Sequence, residues 1–137
     1  MAWLLAAVLC YAVAQPIPFS HKTHVGVGLQ CKDCHTGPDP GERMTFPAAS
    51  KCIACHRAMA TIQQPIPWKR VYAVAAGVYW SHRTHSNAGL RCETCHGDVG
   101  QMEVMTKVKD TTSMTACMNC HRERRAGLGC ELCHEGR

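Results

Sequence analysis

Residues 19–35 read FSHKTHVGVGLQCKDCH, and residues 80–96 read WSHRTHSNAGLRCETCH. The two stretches lie 61 positions apart and are identical at nine of seventeen positions. Each begins with an aromatic residue and a serine, continues with H-x-x-H and a glycine-containing turn, and ends with C-x-x-C-H. Self-similarity of this kind indicates a repeated structural unit. We therefore expect a fold built around two copies of this stretch.

The C-x-x-C-H ending occurs five times in the 137 residues. It is typical of c-type haem attachment, in which two thiols add to the vinyl groups of one haem and the histidine binds the iron. The sequence thus predicts five haem c groups. The predicted thioether residues are Cys31, Cys34, Cys52, Cys55, Cys92, Cys95, Cys117, Cys120, Cys130 and Cys133. The predicted proximal iron ligands are His35, His56, His96, His121 and His134.

Cysteines at this density can also serve zinc binding, disulfide formation or thiol redox chemistry. Paired C-x-x-C motifs can hold zinc, and a cysteine-rich secreted chain can carry disulfides. Neither needs a histidine after every second cysteine. A thioredoxin-like motif usually occurs once, near a βαβ pattern that this sequence lacks. The regular position of the histidine favours haem.

The composition predicts a core made mainly of haem. Only two Phe, three Tyr and three Trp are present. A chain this short buries a modest apolar core, and each of five haems would have about 27 residues around it. The predicted fold class is mostly irregular, with short α-helices and little β-structure, wrapped around its haems.

The formal net charge of +5 does not describe the loaded protein. Each haem carries two propionates, so five haems add about ten negative charges near neutral pH. We therefore expect no nucleic-acid partner. The guanidinium groups of Arg122, Arg124 and Arg125 either pair with propionates or face water.

The first fifteen residues are predicted to be an apolar leader or an N-terminal anchor. Residues 2–14 are apolar, and Ala12-Val13-Ala14 resembles a signal cleavage site, but no Lys or Arg precedes the apolar run. A helix of fourteen residues spans about 21 Å, less than the ~30 Å membrane core. Membrane contact through this segment is the alternative to cleavage. Cys10 is either an apolar filler or a site of lipid attachment.

The two H-x-x-H pairs are predicted to supply the ligands on the opposite face of the iron. Five of the nine histidines are proximal, and those that remain are His21, His24, His82 and His85. Residues three apart on a helix lie about 60° apart around its axis. Two imidazoles so placed can reach two different haems and bring them close together.

Residues 80–134 resemble the triheme cytochromes c7 of the cytochrome c3 class. The resemblance implies that the first histidine of H-x-x-H binds the first haem and the second histidine binds the next. In that family a third distal histidine precedes the second motif, but the stretch here reads TTSMTACMNCH. Met114 is therefore assigned to the last haem, with Met102, Met105 and Met118 as alternatives.

The resemblance gives a complete ligand scheme. The predicted pairs, haem 1 to haem 5, are His35 with His21, His56 with His24, His96 with His82, His121 with His85, and His134 with Met114. The predicted organisation is a leader at 1–15, a diheme module at 16–65 and a triheme c7-like module at 66–137.

A second resemblance concerns the run WSHRTHSNAGLRCETCHGDVGQMEVMTKV at 80–108 and SMTACMNCHR at 113–122. It is similar to the pentaheme subunit of alternative complex III, a quinol-oxidising respiratory complex. The similarity is good over residues 66–122 and holds in outline over 17–56. It implies redox partner proteins in a membrane complex.

An iron with two protein ligands has no open site for substrate, and no C-x-x-C-K motif marks a catalytic haem. The sequence therefore predicts an electron-transfer protein rather than an enzyme by itself. We expect it on the periplasmic side or outer face of the cytoplasmic membrane, as a component of a respiratory or photosynthetic chain. The alternatives are a soluble periplasmic shuttle and a reductase whose active site is haem 5.

Overall fold

A computed structural model describes residues 13–37, 43–62 and 65–134. Within these ranges the chain forms six short α-helices joined by loops, with no β-strand. The helices are α1 (His21–Gly26), α2 (Cys31–Cys34), α3 (Ala49–Ile53), α4 (His82–Asn87), α5 (Cys92–His96) and α6 (Met114–Glu123). Turns of 3₁₀-helix cover Arg57–Thr61, Val99–Gln101 and Cys130–Leu132. The prediction of short helices and little β-structure is confirmed.

The predicted leader or anchor lies almost wholly outside the described residues, and so does Cys10. No helix in the described ranges is long and apolar enough to cross a membrane.

The two H-x-x-H segments start their helices in the same way. Ser20 precedes α1, and its hydroxyl oxygen accepts a hydrogen bond of 3.1 Å from the backbone N–H of Thr23. Ser81 precedes α4, and its hydroxyl accepts one of 3.4 Å from Thr84. A serine at this position satisfies one of the free N–H groups of the first helical turn. The serine of the repeated stretch thus fixes where each histidine-bearing helix begins.

The same two helices also end in the same way. Gly28 and Gly89 have φ values of 95° and 80°, a left-handed conformation that glycine adopts without steric cost. After each glycine, the N–H of a leucine returns to the carbonyl of the second histidine: Leu29 to His24 and Leu90 to His85, both at 3.2 Å. This pattern is the Schellman motif that stops α-helices. Each helix is thereby limited to six residues.

The polypeptide buries few of its own side chains. Among the described residues only Ala49, Ile66 and Ser81 are buried, and no large side chain is fully enclosed. A domain of this size that folds on its own normally hides more than half of the surface exposed by its unfolded chain. The structure thus agrees with the expectation that the chain relies on bound groups for its core.

The segment after the first repeat bridges the two halves of the protein. The indole N–H of Trp68 donates to the Pro47 carbonyl at 3.2 Å, and the Arg70 guanidinium lies 4.8 Å above the Phe46 ring. Tyr72, two residues later, lies edge-on to the ring of His96 at 4.8 Å. The chain therefore passes from one half to the other between residues 70 and 72, and the division at residue 65 stays a prediction.

The scarcity of buried side chains leads to a prediction for the haem-free chain. We expect it to be unfolded, because its own side chains bury too little apolar area to offset the loss of conformational entropy. Circular dichroism of the chain made without haem should show low helicity and no cooperative thermal transition. A haem-free form that is helical and unfolds cooperatively would contradict this expectation.

Candidate haem sites

Eight of the nine histidine rings stand in four pairs, each joining an H-x-x-H histidine to a C-x-x-C-H histidine. The pairs are His21–His35 at 6.4 Å, His24–His56 at 6.1 Å, His82–His96 at 6.3 Å and His85–His121 at 6.2 Å between ring centroids. The partners are the same as those in the predicted ligand scheme for haems 1 to 4.

This separation is the one that an iron between two imidazoles requires. An imidazole nitrogen binds a metal at about 2 Å and lies about 1.1 Å from its ring centre, so two trans imidazoles have centroids about 6.2 Å apart. Rings in direct contact would be closer, at about 4–5 Å. The four pairs therefore fit an iron held between them.

The relative orientation of the rings follows the repeat. The first histidine of each H-x-x-H is nearly parallel to its partner, with interplanar angles of 16° for His21–His35 and 10° for His82–His96. The second is tilted, by 53° for His24–His56 and 45° for His85–His121. The two halves thus contain the same two kinds of histidine pair.

Backbone carbonyls fix the orientation of several rings. The Nδ1 atoms of His24 and His85 lie 2.7 and 2.8 Å from the carbonyl oxygens of Ser20 and Ser81. Since a carbonyl only accepts, each Nδ1 carries the proton and donates it. Nε2 is then the nitrogen left free for a metal, which is the usual arrangement of a histidine ligand.

Two proximal histidines are oriented in the same manner. The Nδ1 atom of His35 donates to the Thr45 carbonyl at 2.9 Å, and that of His121 donates to the Gly127 carbonyl at 2.6 Å. These carbonyls come from loops ten and six residues further along the chain. The loops after the first and fourth motifs thus set the direction in which each imidazole presents Nε2.

Burial favours the neutral form of two of these imidazoles. It lowers the pKa of His21, with smaller contributions from the neighbouring His35 and His24. It also lowers the pKa of His96, again with a smaller contribution from His35. A neutral imidazole is the form that binds a metal. The Nδ1 atom of His21 is buried and has no hydrogen-bond partner within the described ranges.

An aromatic ring packs against both histidines of each H-x-x-H pair. Phe19 lies edge-on to His21 at 4.9 Å and stacks on His24 at 4.3 Å. Trp80 lies edge-on to His82 at 4.1 Å and stacks on His85 at 5.0 Å. The repeat pointed to these aromatic residues, but nothing in the pattern predicted what they do. The structure shows that they brace the two imidazoles of each helix.

No disulfide joins any of the ten motif cysteines, all of which lie within the described ranges. Within the described ranges, no three His, Cys, Asp or Glu side chains converge as a metal ion such as zinc would require. Each pair of thiols stays beside its own histidine, since the two cysteines of C-x-x-C lie about one helical turn apart. This arrangement fits attachment of one haem at each motif.

The fifth motif differs from the other four. In the part of the chain that the structure describes, no histidine ring pairs with that of His134. His134 is exposed. Met114 is the first residue of α6 and is 64% exposed. The methyl group of Met102 lies beside Gly97, the residue after motif 3. The pairing of Met114 with His134 stays a prediction.

Comparison with known proteins agrees with the geometry. Residues 23–73 match the family model of cytochrome c3. Over 109 residues the chain is 30% identical to the multiheme cytochrome c subunit of a menaquinone reductase from Nitratidesulfovibrio vulgaris (strain Hildenborough). The match covers 69% of this chain and 51% of the relative, so the chain spans about half the length of that protein.

The predicted fold class and the predicted cytochrome c3 class are therefore both confirmed. The family match occurs together with short helices, repeated C-x-x-C-H motifs and histidine pairs at the distance that a shared iron requires. The chain is a multihaem cytochrome c of the c3-like class.

Proposed function

We propose that this cytochrome carries five haem c groups and relays electrons by outer-sphere transfer within a membrane-associated, quinone-linked respiratory complex on the periplasmic side. The observation that supports this most strongly is the set of four histidine pairs with centroids 6.1 to 6.4 Å apart. A pair of this kind would hold an iron from both faces. It would leave no position on that iron at which a substrate could bind.

The ligand scheme of this proposal follows the pairs. His35 with His21, His56 with His24, His96 with His82 and His121 with His85 hold haems 1 to 4, and His134 with Met114 holds haem 5. Bound haem c supplies one-electron exchange between ferric and ferrous iron. The chain's own residues determine how little the site moves during that exchange.

The ligand helices are held rigidly from three sides. A serine cap fixes the first turn, a Schellman motif fixes the last, and an aromatic ring packs on both imidazoles. For His24, His35, His85 and His121, the hydrogen bond from Nδ1 to a backbone carbonyl opposes ring rotation and makes the ligand more basic. A site that keeps its geometry in both oxidation states loses little energy to reorganisation, which suits a relay.

The environment of haem 5 sets it apart from the others. A thioether as sixth ligand raises the reduction potential relative to a second imidazole. Met114 is the first residue of α6, just before the fourth motif, and it is exposed rather than packed in a side-chain core. With this ligand, haem 5 is the high-potential member of the set and the natural site of contact with an electron acceptor.

The proposed partner is a membrane complex that handles a quinone. Two likenesses support it: the similarity of residues 66–122 to a quinol-oxidising complex subunit, and the identity to a subunit of a menaquinone reductase. A freestanding periplasmic shuttle is the second candidate, because the cytochrome c3 family model covers residues 23–73.

The ring orientations predict the electron paramagnetic resonance spectrum of the oxidised protein. The angle between two axial imidazole planes sets the splitting of the iron d orbitals. We expect haems 1 and 3, with nearly parallel rings, to give one type of low-spin signal, and haems 2 and 4, with tilted rings, to give a more anisotropic type. A high-spin signal from any of these four would contradict the scheme.

Substitution of Met114 tests the assignment of haem 5. In Met114→His one haem should fall in potential by on the order of 0.1–0.2 V, a fraction of the ~0.8 V that axial ligands span. In Met114→Ala the reduced protein should bind one carbon monoxide, which the unaltered protein should not. Met118→Ala, in the same helix, serves as the matched control and should change neither property.

Carbon monoxide binding by the unaltered reduced protein would instead favour a reductase with haem 5 as its active site. If Met118→Ala bound carbon monoxide and Met114→Ala did not, the ligand assignment would move to Met118.

Purification from native membranes tests the proposed partner. In mild detergent the cytochrome should remain with larger membrane subunits, and the assembly should reduce or oxidise a quinone. A high-salt wash without detergent should leave it on the membrane. Complete release by salt as a single polypeptide would support the shuttle and contradict membership of a complex.

A further inference from the structure

We propose that the first haem motifs of the two repeats face each other, so that the five haems form a single file in the order 2–1–3–4–5 rather than the order of the sequence. This inference deepens the proposed relay and rests on it. We infer the order from the contacts between motifs: the helices that carry the ligands, the thiols that lie close together, and the residues that line a shared cavity.

In the first half, α1 joins motifs 1 and 2. Its His21 pairs with His35 of motif 1, and its His24 pairs with His56 of motif 2. Within the described residues, the histidine that pairs with motif 2 thus comes from the first repeat.

In the second half, α4 joins motifs 3 and 4 in the same way, through His82 with His96 and His85 with His121. Trp80 packs against both of these α4 histidines, as Phe19 does against the two histidines of α1.

Motif 5 adjoins motif 4. The Nδ1 atom of His121 in motif 4 donates to the Gly127 carbonyl at 2.6 Å, and a Cβ on Gly127 would meet the Leu132 side chain of motif 5. The backbone carbonyl of Cys133 also accepts a 2.7 Å hydrogen bond from the N–H of Tyr79, just before the second repeat. Motif 5 therefore lies against the motif-4 side of the second half.

The junction between the halves lies at motifs 1 and 3. The thiols of Cys31 and Cys92 lie close enough to interact: burial raises the pKa of Cys31 most, and Cys92 raises it further. A cavity of about 410 Å³ has His35 and Lys32 of motif 1 on one side and His82, Ser86 and Asn87 of α4 on the other. One cavity is thus lined by the proximal ligand of haem 1 and the distal ligand of haem 3.

Contacts between α1 and the turn after motif 3 hold this junction. The backbone N–H of Lys22 donates to the Met102 carbonyl at 3.1 Å, and the Lys22 ammonium lies 3.9 Å from the Glu103 carboxylate. Gly100 lies close to Val25, since a Cβ atom added at Gly100 would be 3.4 Å from a methyl group of Val25. The 3₁₀ turn Val99–Gln101 therefore packs closely on α1.

This order has a consequence for partners. In a file that followed the sequence, haem 1 would be an end. In the order proposed here, haem 1 is internal and the ends are haem 2, on Cys52 and Cys55, and haem 5, on Cys130 and Cys133. Electrons would enter and leave through motifs 2 and 5.

Proton NMR of the fully reduced, diamagnetic five-haem protein tests the order. Each haem is assigned through its thioether cysteines, and nuclear Overhauser effects between haems are recorded. We expect effects for haems 2 and 1, 1 and 3, 3 and 4, and 4 and 5, and none between haems 2 and 3. Effects between haems 2 and 3 without any between 1 and 3 would overturn the order.

A pair of variants tests the junction separately. Gly100→Val places a branched side chain against Val25 and should abolish the effects between haems 1 and 3 while those between 1 and 2 and between 3 and 4 persist. Gly26→Val is the matched control, because nothing lies within 4 Å of a Cβ added there. This variant should keep all four inter-haem effects. Unchanged effects in Gly100→Val would place the junction elsewhere.

The proposed function fails in a different way from the order. A protein with fewer than five haems by mass, or with a carbon monoxide-binding iron, would remove the relay itself. A five-haem, fully low-spin protein with a different pattern of effects would remove only the order.

Discussion

The rest of this structure depends on the distance between paired imidazoles. Four times, a histidine from H-x-x-H stands 6.1 to 6.4 Å from a histidine of C-x-x-C-H, measured between ring centroids. This is too far for ring contact and close to what two metal bonds of about 2 Å require. The loops, caps and aromatic contacts of the described chain can be understood as means of holding that distance in the absence of an extensive side-chain core.

The repeated stretch contains nearly everything that one such unit needs. Its serine starts the helix, and its glycine and leucine end the helix within six residues. Its aromatic residue packs on both imidazoles. A helix this short would not be stable alone, because the free-energy cost of nucleating it exceeds the stabilisation from the hydrogen bonds of one or two turns. Its stability must come from the groups that its histidines and the neighbouring thiols hold.

Much of this site could be predicted from the sequence because its chemistry is local. C-x-x-C-H places two thiols and an imidazole within one helical turn, and H-x-x-H places two imidazoles about 60° apart, whatever surrounds them. The roles of Phe19 and Trp80 were not predicted, because an aromatic residue before a serine has many possible contacts. The proximity of Cys31 and Cys92 could not be predicted either. It depends on how α1 packs against the turn Val99–Gln101, about 75 residues further along the chain.

Histidine pairs on both faces of four irons, with a different ligand on the fifth, are the feature on which the proposed relay depends. Near-infrared magnetic circular dichroism of the oxidised protein measures this most directly, because the charge-transfer band of a low-spin ferric haem shifts with its pair of axial ligands. We predict bis-histidine and histidine–methionine bands in a ratio of four to one. A spectrum with any high-spin haem among the four, or with more than one methionine-ligated haem, would contradict this ligand scheme.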